Sequence, residues 1–535
     1  MLTETALAGT CEKRHRVPMP LVQDQSCSPA CEPFPLRVCE EEHFARVRSY
    51  FREAQYTEAS LCRILGLSEL KNFAELDSKQ ISLRRDGPPQ LLLLVKLFFL
   101  MLPVSARDLE DQEPAEFLQS LMTLDLLRLL EGLDGEGRIT RSYSSPVWLY
   151  PVQDLLIVSD QGKDSRQAVF PALGELTNRF LRLLETASSP SALDLCSGSG
   201  IAGLLLSRRC QRVAASDISE RAVHFARFNC LLNSCKNVEI IQSDFYSALD
   251  RETFDLIVAH PPYVPSLSNN VVWRDGGETG ENAICQIVEG LVHFLRPGGT
   301  FLSACAGFDT ETQHFEERVR GWLGAAHLEF EIIFAVRSEI RPRRLALDLT
   351  EVSPELEVKD IRTLEECFKS IGACRHLNGA LYIFRKLAGI SSKQEPITLR
   401  TRLSPISDAA SFAWIRRWLQ FRNEPDSRQK LRWMKPRISS QLQMRVTHVV
   451  KSGALVPTDY ILASGRPFLA ETLVEPGMVK ILEEFNGQRT IEELFELGRL
   501  KSMVPETLDF DNFLEFCAKM IERGYAEIDD PLLSE

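Results

Sequence analysis

Short apolar runs separated by stretches of helical periodicity dominate the middle of this chain of 535 residues. They recur at 192–195, 213–216, 238–241, 256–259, 300–304, 330–335 and 380–385. A strand covered by helices on both faces must be apolar on both faces. Such runs, alternating with helices expected at 200–209, 219–233, 282–295, 311–325 and 361–371, therefore predict a doubly wound, mainly parallel sheet. The expected architecture is α/β and Rossmann-like, with seven strands. Gly379 precedes the last run, which is compatible with an antiparallel addition to the sheet.

Two of these runs end in unusual punctuation. The first runs into Asp194-Leu195-Cys196-Ser197-Gly198-Ser199-Gly200. Glycines at that spacing let the backbone turn sharply and approach a ligand without an intervening side chain. Asp217 closes the second run and is placed to hold a pair of ribose hydroxyls; Asp244 closes the third and is placed to accept from an adenine amine. The fourth run ends in His260-Pro261-Pro262-Tyr263. A nicotinamide dehydrogenase uses the glycine turn and the acid but has no need of such a loop. No phosphate-cradling Gly-x-x-x-x-Gly-Lys-Ser/Thr occurs.

The rest of the chain sorts by composition. Residues 1–38 are rich in Pro, Cys and polar side chains and read as a flexible arm. Cys11, His15, Cys27, Cys31 and Cys39 lack the paired spacing of a zinc site, so no metal is expected. Residues 39–160 read as a helical N-terminal domain. A helix begins at Thr57 and ends at Gly66, an apolar helix covers 91–102, another covers 118–130, and short strands close the unit at 137–158. The sheet domain spans 161–388. A connecting region, 389–470, follows. Within it, 396–451 holds twelve Lys or Arg against three acidic residues, a net of +9 in a chain of net charge −12, together with Trp414, Trp418 and Trp433. Two readings stand: a nucleic-acid surface, or a helix at 409–422 docked by its tryptophans with its arginines solvated or paired to the acidic body. Residues 471–535 read as helix, helix, helix, strand, with Thr490-Ile491-Glu492-Glu493 as a capping box. The fourteen cysteines sit mostly in apolar segments, and no secretory h-region or bilayer-length apolar run is found, which points to a cytoplasmic protein.

On the segments 192–200, 214–219, 243–245 and 255–263, residues 165–388 resemble class I S-adenosylmethionine-dependent methyltransferases. The group in question contains the release-factor glutamine methyltransferases and the rRNA guanine-N2 methyltransferases. With 41–164 added, and with Trp273-Arg274-Asp275-Gly276-Gly277-Glu278-Thr279-Gly280 after the loop, the chain is similar to a bacterial subgroup that carries a helical N-terminal domain. The tail resembles the small winged-helix modules related to the peptide chaperone of pyrroloquinoline quinone synthesis. The resemblance implies S-adenosyl-L-methionine as cofactor, bound at Asp194, Ser197, Gly198, Gly200, Asp217, Ile218, Asp244 and Phe245, with 169–177 as a lid over its methionine end. It also implies catalytic roles for His260, Pro261, Pro262 and Tyr263. In such loops an Asn or Asp side chain and the first proline's carbonyl accept from a planar nitrogen on which the aromatic ring stacks. Here His260 stands in the Asn/Asp position.

The expected activity is N-methylation of a planar amine or amide in a macromolecule, a protein glutamine or an RNA base. The alternatives are a small-molecule biosynthetic methyltransferase and a cofactor-binding protein without catalysis. Arg274 and Asp275 either orient substrate or form a surface ion pair. Arg337, Arg341, Arg343 and Arg344 face either an anionic substrate or solvent.

Overall fold

The computed structural model describes residues 35–70, 87–133, 135, 137–160, 169–250, 252–268, 270–352, 356–387 and 395–528. The expected arm, with Cys11, His15, Cys27 and Cys31, lies outside these residues except for 35–38.

One large sheet carries the molecule. Its strands are β1 (Ser189–Leu195), β2 (Cys210–Asp217), β3 (Val238–Gln242), β4 (Phe254–Ala259), β5 (Leu295–Thr310), β6 (Phe330–Ile340), β7 (Ala373–Arg385) and β8 (Thr398–Arg402). They lie in the order β3-β2-β1-β4-β5-β7-β6-β8. All neighbours are parallel except that β7 runs against both β5 and β6. The strand order reverses between β1 and β4. At such a switch point the crossover helices leave to opposite faces and open a crevice at the carboxyl ends of the strands. Every punctuated segment of the sequence ends there.

Among the described residues the sheet has eight strands, where seven were expected. β8 comes from the basic stretch and pairs in parallel with β6, Phe334 opposite Arg400. Its sequence, Thr-Leu-Arg-Thr-Arg, has no apolar run, so periodicity could not reveal it. It covers the edge that β6 would otherwise expose. It also brings Arg400 to the buried carboxylates of Asp309 and Glu316, at 2.6 Å from each.

The N-terminal unit holds helices Glu41–Glu53, Glu58–Leu65, Pro89–Leu94, Ala106–Gln112 and Ala115–Thr123. Thr57 caps its helix through Ser60 N at 3.2 Å, and Gly66 ends it at φ 73°. Two expectations fail locally. The apolar helix at 91–102 becomes a π-helical turn over Val95–Phe99. The helix expected over 118–130 ends at Thr123; Asp125 takes φ 55°, and Arg128–Leu133 is a strand paired to Ile139–Ser144. Its leucines 129, 130 and 133 face outward, so their spacing imitated a helical stripe without a core behind it. The unit docks on the helix Glu220–Leu232. Arg48 donates to the carbonyls of Leu231 and Leu232, and the Asn229 and Asn233 amides complete the backbone bonds of Val158 and Leu156.

The region 389–470 is not a mere connector. After β8 comes the helix Ala409–Arg422, which buries Phe412, Ile415 and Trp418. A meander of Gln443–Lys451, Ala454–Ser464 and Ala470–Val474 follows. Its basic side chains are taken up by the acidic body: Arg400 as above, Arg416 with Glu331, Arg422 with Glu515, Arg432 with Glu492, Arg437 with Glu527 and Arg445 with Glu471. These six of the twelve basic side chains of the +9 stretch are thus matched by acidic groups of the body, which weakens the charge argument for a nucleic-acid surface. The tail forms helices Pro476–Leu482, Ile491–Leu500 and Phe510–Glu522, with Thr490 and Glu493 in the expected capping box. Its last strand, Ala526–Glu527, pairs with Arg437–Ile438. Among the described residues no helix is long and apolar enough to cross a membrane.

Candidate functional site

The turn after β1 enters the left-handed region where the sequence supplies glycine. Gly198 and Gly200 take φ 53° and 80°. A Cβ on Gly200 would lie 3.0 Å from that of Ala226, so the glycine also lets the turn pack on the helix behind it. A Cβ on Gly198 would meet nothing within 4 Å; this side of the turn is open. Asp217, at the end of β2, accepts from the N–H groups of Gly198 and Ser219, each at 2.9 Å, and so ties the first turn to the second. Burial raises its pKa. Asp194 works from behind: it accepts from Gly203 N at 2.8 Å, and burial pushes its carboxyl up to about 7. Ser197 is buried, and its Oγ has no hydrogen-bond partner among the described residues. Beyond β2, Ile218 is 52% exposed, an unusual state for isoleucine beside a crevice. Asp244 is exposed just past β3, and Phe245 follows at φ 46°.

The loop after β4 lies beside this turn. Phe180 packs on the His260 ring at 5.1 Å between centroids, and Tyr263 stacks on it at 6.0 Å and 27°. Burial lowers the imidazole pKa to about 4, so His260 is neutral at ordinary pH and one of its nitrogens is an acceptor. It makes no hydrogen bond to the described residues, which leaves that capacity free for a ligand. Burial pushes the Tyr263 hydroxyl up to about 12, with Arg337 pulling it back in part.

The stretch 273–280 clasps this loop. Val264 N bonds Arg274 O at 3.0 Å, and Gly276 N bonds Val264 O at 2.9 Å. A Cβ on Gly276 would fall 2.8 Å from Pro262 O, and one on Gly280 2.3 Å from Tyr263 O. The glycines are there because backbone meets backbone. Arg274 and Asp275 pair at 2.8 Å with side chains 12% and 1% exposed; the pair is buried and is not a surface bridge. Trp273 stacks on Phe170 at 4.8 Å, which fastens the clasp to the segment before β1.

The structure therefore gathers Asp194, Ser197, Gly198, Gly200, Asp217, Ile218, Asp244, Phe245 and His260–Tyr263 at the carboxyl ends of four adjacent strands. Sequence reasoning missed Phe180, whose only signal was a place on a helix before β1. Of the four arginines, Arg343 and Arg344 pair with Glu365 and Asp348, whereas Arg337 lines a cavity beside Tyr263.

The family described as Methyltransferase small domain matches residues 167–319. The release factor glutamine methyltransferase of Salmonella typhimurium is 30% identical over 209 residues, covering 36% of this chain and 68% of that protein. The one from Fusobacterium nucleatum is 30% identical over 125 residues, 23% of this chain and 35% of that protein. This chain thus spans between about a third and a half of several curated relatives it matches. Among solved structures, a methyltransferase from Pyrococcus furiosus is 19% identical with a TM-score of 0.25, covering 40% of this chain and 85% of that one.

Proposed function

The chain belongs to the release factor glutamine methyltransferase family of S-adenosylmethionine-dependent enzymes, and on that premise we propose that it methylates a planar nitrogen of a macromolecule, a protein glutamine amide in first place. The cofactor site comprises Asp194, Ser197, Gly198, Gly200, Asp217, Ile218, Asp244 and Phe245. Three features suit it to that ligand: the open space before Gly198, the unpartnered buried Oγ of Ser197, and the bare face of Ile218. The bound cofactor supplies an activated methyl group; the chain's residues supply position and electrostatics.

The observation that carries the acceptor reading is the neutral, unpaired imidazole of His260 beside Pro261 and Tyr263. An amide nitrogen is a weak nucleophile because its lone pair is delocalised. His260 and the Pro261 carbonyl accept its two N–H bonds and return electron density to nitrogen. The Tyr263 ring holds the planar group flat. As the methyl group arrives, the nitrogen becomes strongly acidic, and even a weakly basic imidazole takes its proton. This reading keeps catalysis, against the alternative of a cofactor-binding protein. An RNA base remains the second acceptor, with weaker support from the partly paired basic stretch. The chain divides at about 160, 388 and 470. Its tail resembles a winged-helix module suited to a peptide partner. The free cysteines among the described residues fit a reducing cytoplasm.

The test is calorimetry with S-adenosylhomocysteine, followed by tritiated methyl transfer into a lysate treated with nuclease or protease. We expect binding that Asp217→Ala abolishes, and label that survives nuclease but not protease. Absence of binding, or label lost to nuclease, would overturn the cofactor or the protein-acceptor reading respectively.

A further inference from the structure

A small recess opens beside Tyr263. Its volume is about 30 Å³, and its walls include Leu176, Phe180, Cys305, Arg337, Asn378 and Leu403. Two or three water-sized groups fill it. Arg337 is the extra residue of a β-bulge: Val336 pairs with Gly379 and Ser338 with Asn378, so Arg337 has no partner in the ladder. A bulge re-aims the side chain it carries. Opposite it stands Gly379, where a Cβ would lie 2.4 Å from Ala335 O.

Arg337 is half-buried, yet among the described residues its guanidinium has neither an ion pair nor a hydrogen bond. The Asn378 side chain and the Tyr263 hydroxyl are equally without partners there. The other guanidinium at the recess, Arg179, is already matched by Glu175 at 3.0 Å. Burial, first, and the like charge of Arg179 act against the Arg337 cation, and Tyr263 and Glu175 offset them only in part. A partly desolvated charge with incomplete compensation is costly, and a ligand that supplies the counter-charge relieves that cost.

We infer that this recess is a subsite for a carboxylate of the methyl acceptor, bound by the Arg337 guanidinium with the Asn378 amide and the Tyr263 hydroxyl as further donors. The planar fork of arginine matches a carboxylate bidentately. Arg179, Arg337 and Glu175 together leave one net positive charge, which calls for a monoanion. A phosphodiester is also a monoanion, but the recess does not hold its two ester arms. Because Tyr263 belongs to both sites, the carboxylate and the nitrogen to be methylated lie on one acceptor. The inference rests on the methyltransferase reading and names the chemistry of its acceptor.

The experiment titrates the full chain, loaded with S-adenosylhomocysteine, with carbon-labelled acetate followed by ligand NMR. Dimethyl phosphate and chloride at equal ionic strength serve as competitors. We expect acetate to bind about tenfold more tightly than either competitor, as one charge-assisted pair provides. Arg337→Gln should lose that preference and Arg337→Lys should keep part of it, while both still bind S-adenosylhomocysteine, which shows that they fold. Equal binding of acetate by wild type and Arg337→Gln, or preference for dimethyl phosphate, would overturn the carboxylate subsite alone. Failure of the wild-type chain to bind S-adenosylhomocysteine would overturn the methyltransferase reading, and this inference with it.

Discussion

An imidazole pressed between Phe180 and Tyr263 differs from one in water, and His260 should show it in its titration. Its folded pKa, about 4, lies below the ordinary 6.5. Between these values the unfolded chain takes up a proton that the folded chain does not. Wild type therefore loses stability relative to His260→Asn as pH falls from 6.5 to 4, by up to about 3 kcal/mol. Above pH 6.5 the contribution is constant. Denaturant unfolding of both proteins across this range measures it; a pH-independent difference would mean that His260 is solvated. Residue identity made Asp217, Gly198 and the His-Pro-Pro-Tyr loop legible in the sequence, because each belongs to a local pattern. Phe180 and Asn378 belong to none, and distant chain segments bring them to Tyr263.

At the level of elements, the loop after β4 is held by backbone contacts that tolerate no side chain. Gly280→Ala adds a Cβ that would lie 2.3 Å from Tyr263 O, at a φ of +78°. The loop must move, and a shift of about 1 Å costs on the order of 100-fold in rate. We expect methyl transfer to fall by that order while S-adenosylhomocysteine binding stays at the wild-type level, because the turn after β1 is untouched. Equal losses in both would show that the clasp supports the whole crevice. The sequence displayed these glycines without their purpose: a positive φ is local, but the loop backbone they approach is 14 residues away for Gly276 and 17 for Gly280. The bulge at Arg337 was hidden for the same reason, since a bulge is a property of two strands.

At the scale of the whole molecule, charges far apart in the sequence fasten the edge strand β8 to the body. Asp309 and Glu316 are buried and share Arg400 of β8. Arg400→Met should cost roughly 3–5 kcal/mol, because it leaves two buried carboxylates with only His314, 3.6 Å from Asp309, beside them. Urea unfolding reads the loss; a cost below about 1 kcal/mol would mean that water reaches the carboxylates. The apolar runs by themselves determined the α/β class and the presence of its first seven strands, since burial on both faces demands such runs wherever the fold is wound; their order in the sheet came from the structure. The glycine turn and its acids likewise followed from local backbone geometry. Only the tertiary structure decided the eighth strand, the fate of the basic stretch and the unpaired Arg337. Whether a charge is solvated, neutralised or held for a ligand depends on what faces it across space, and that partner is written elsewhere in the chain.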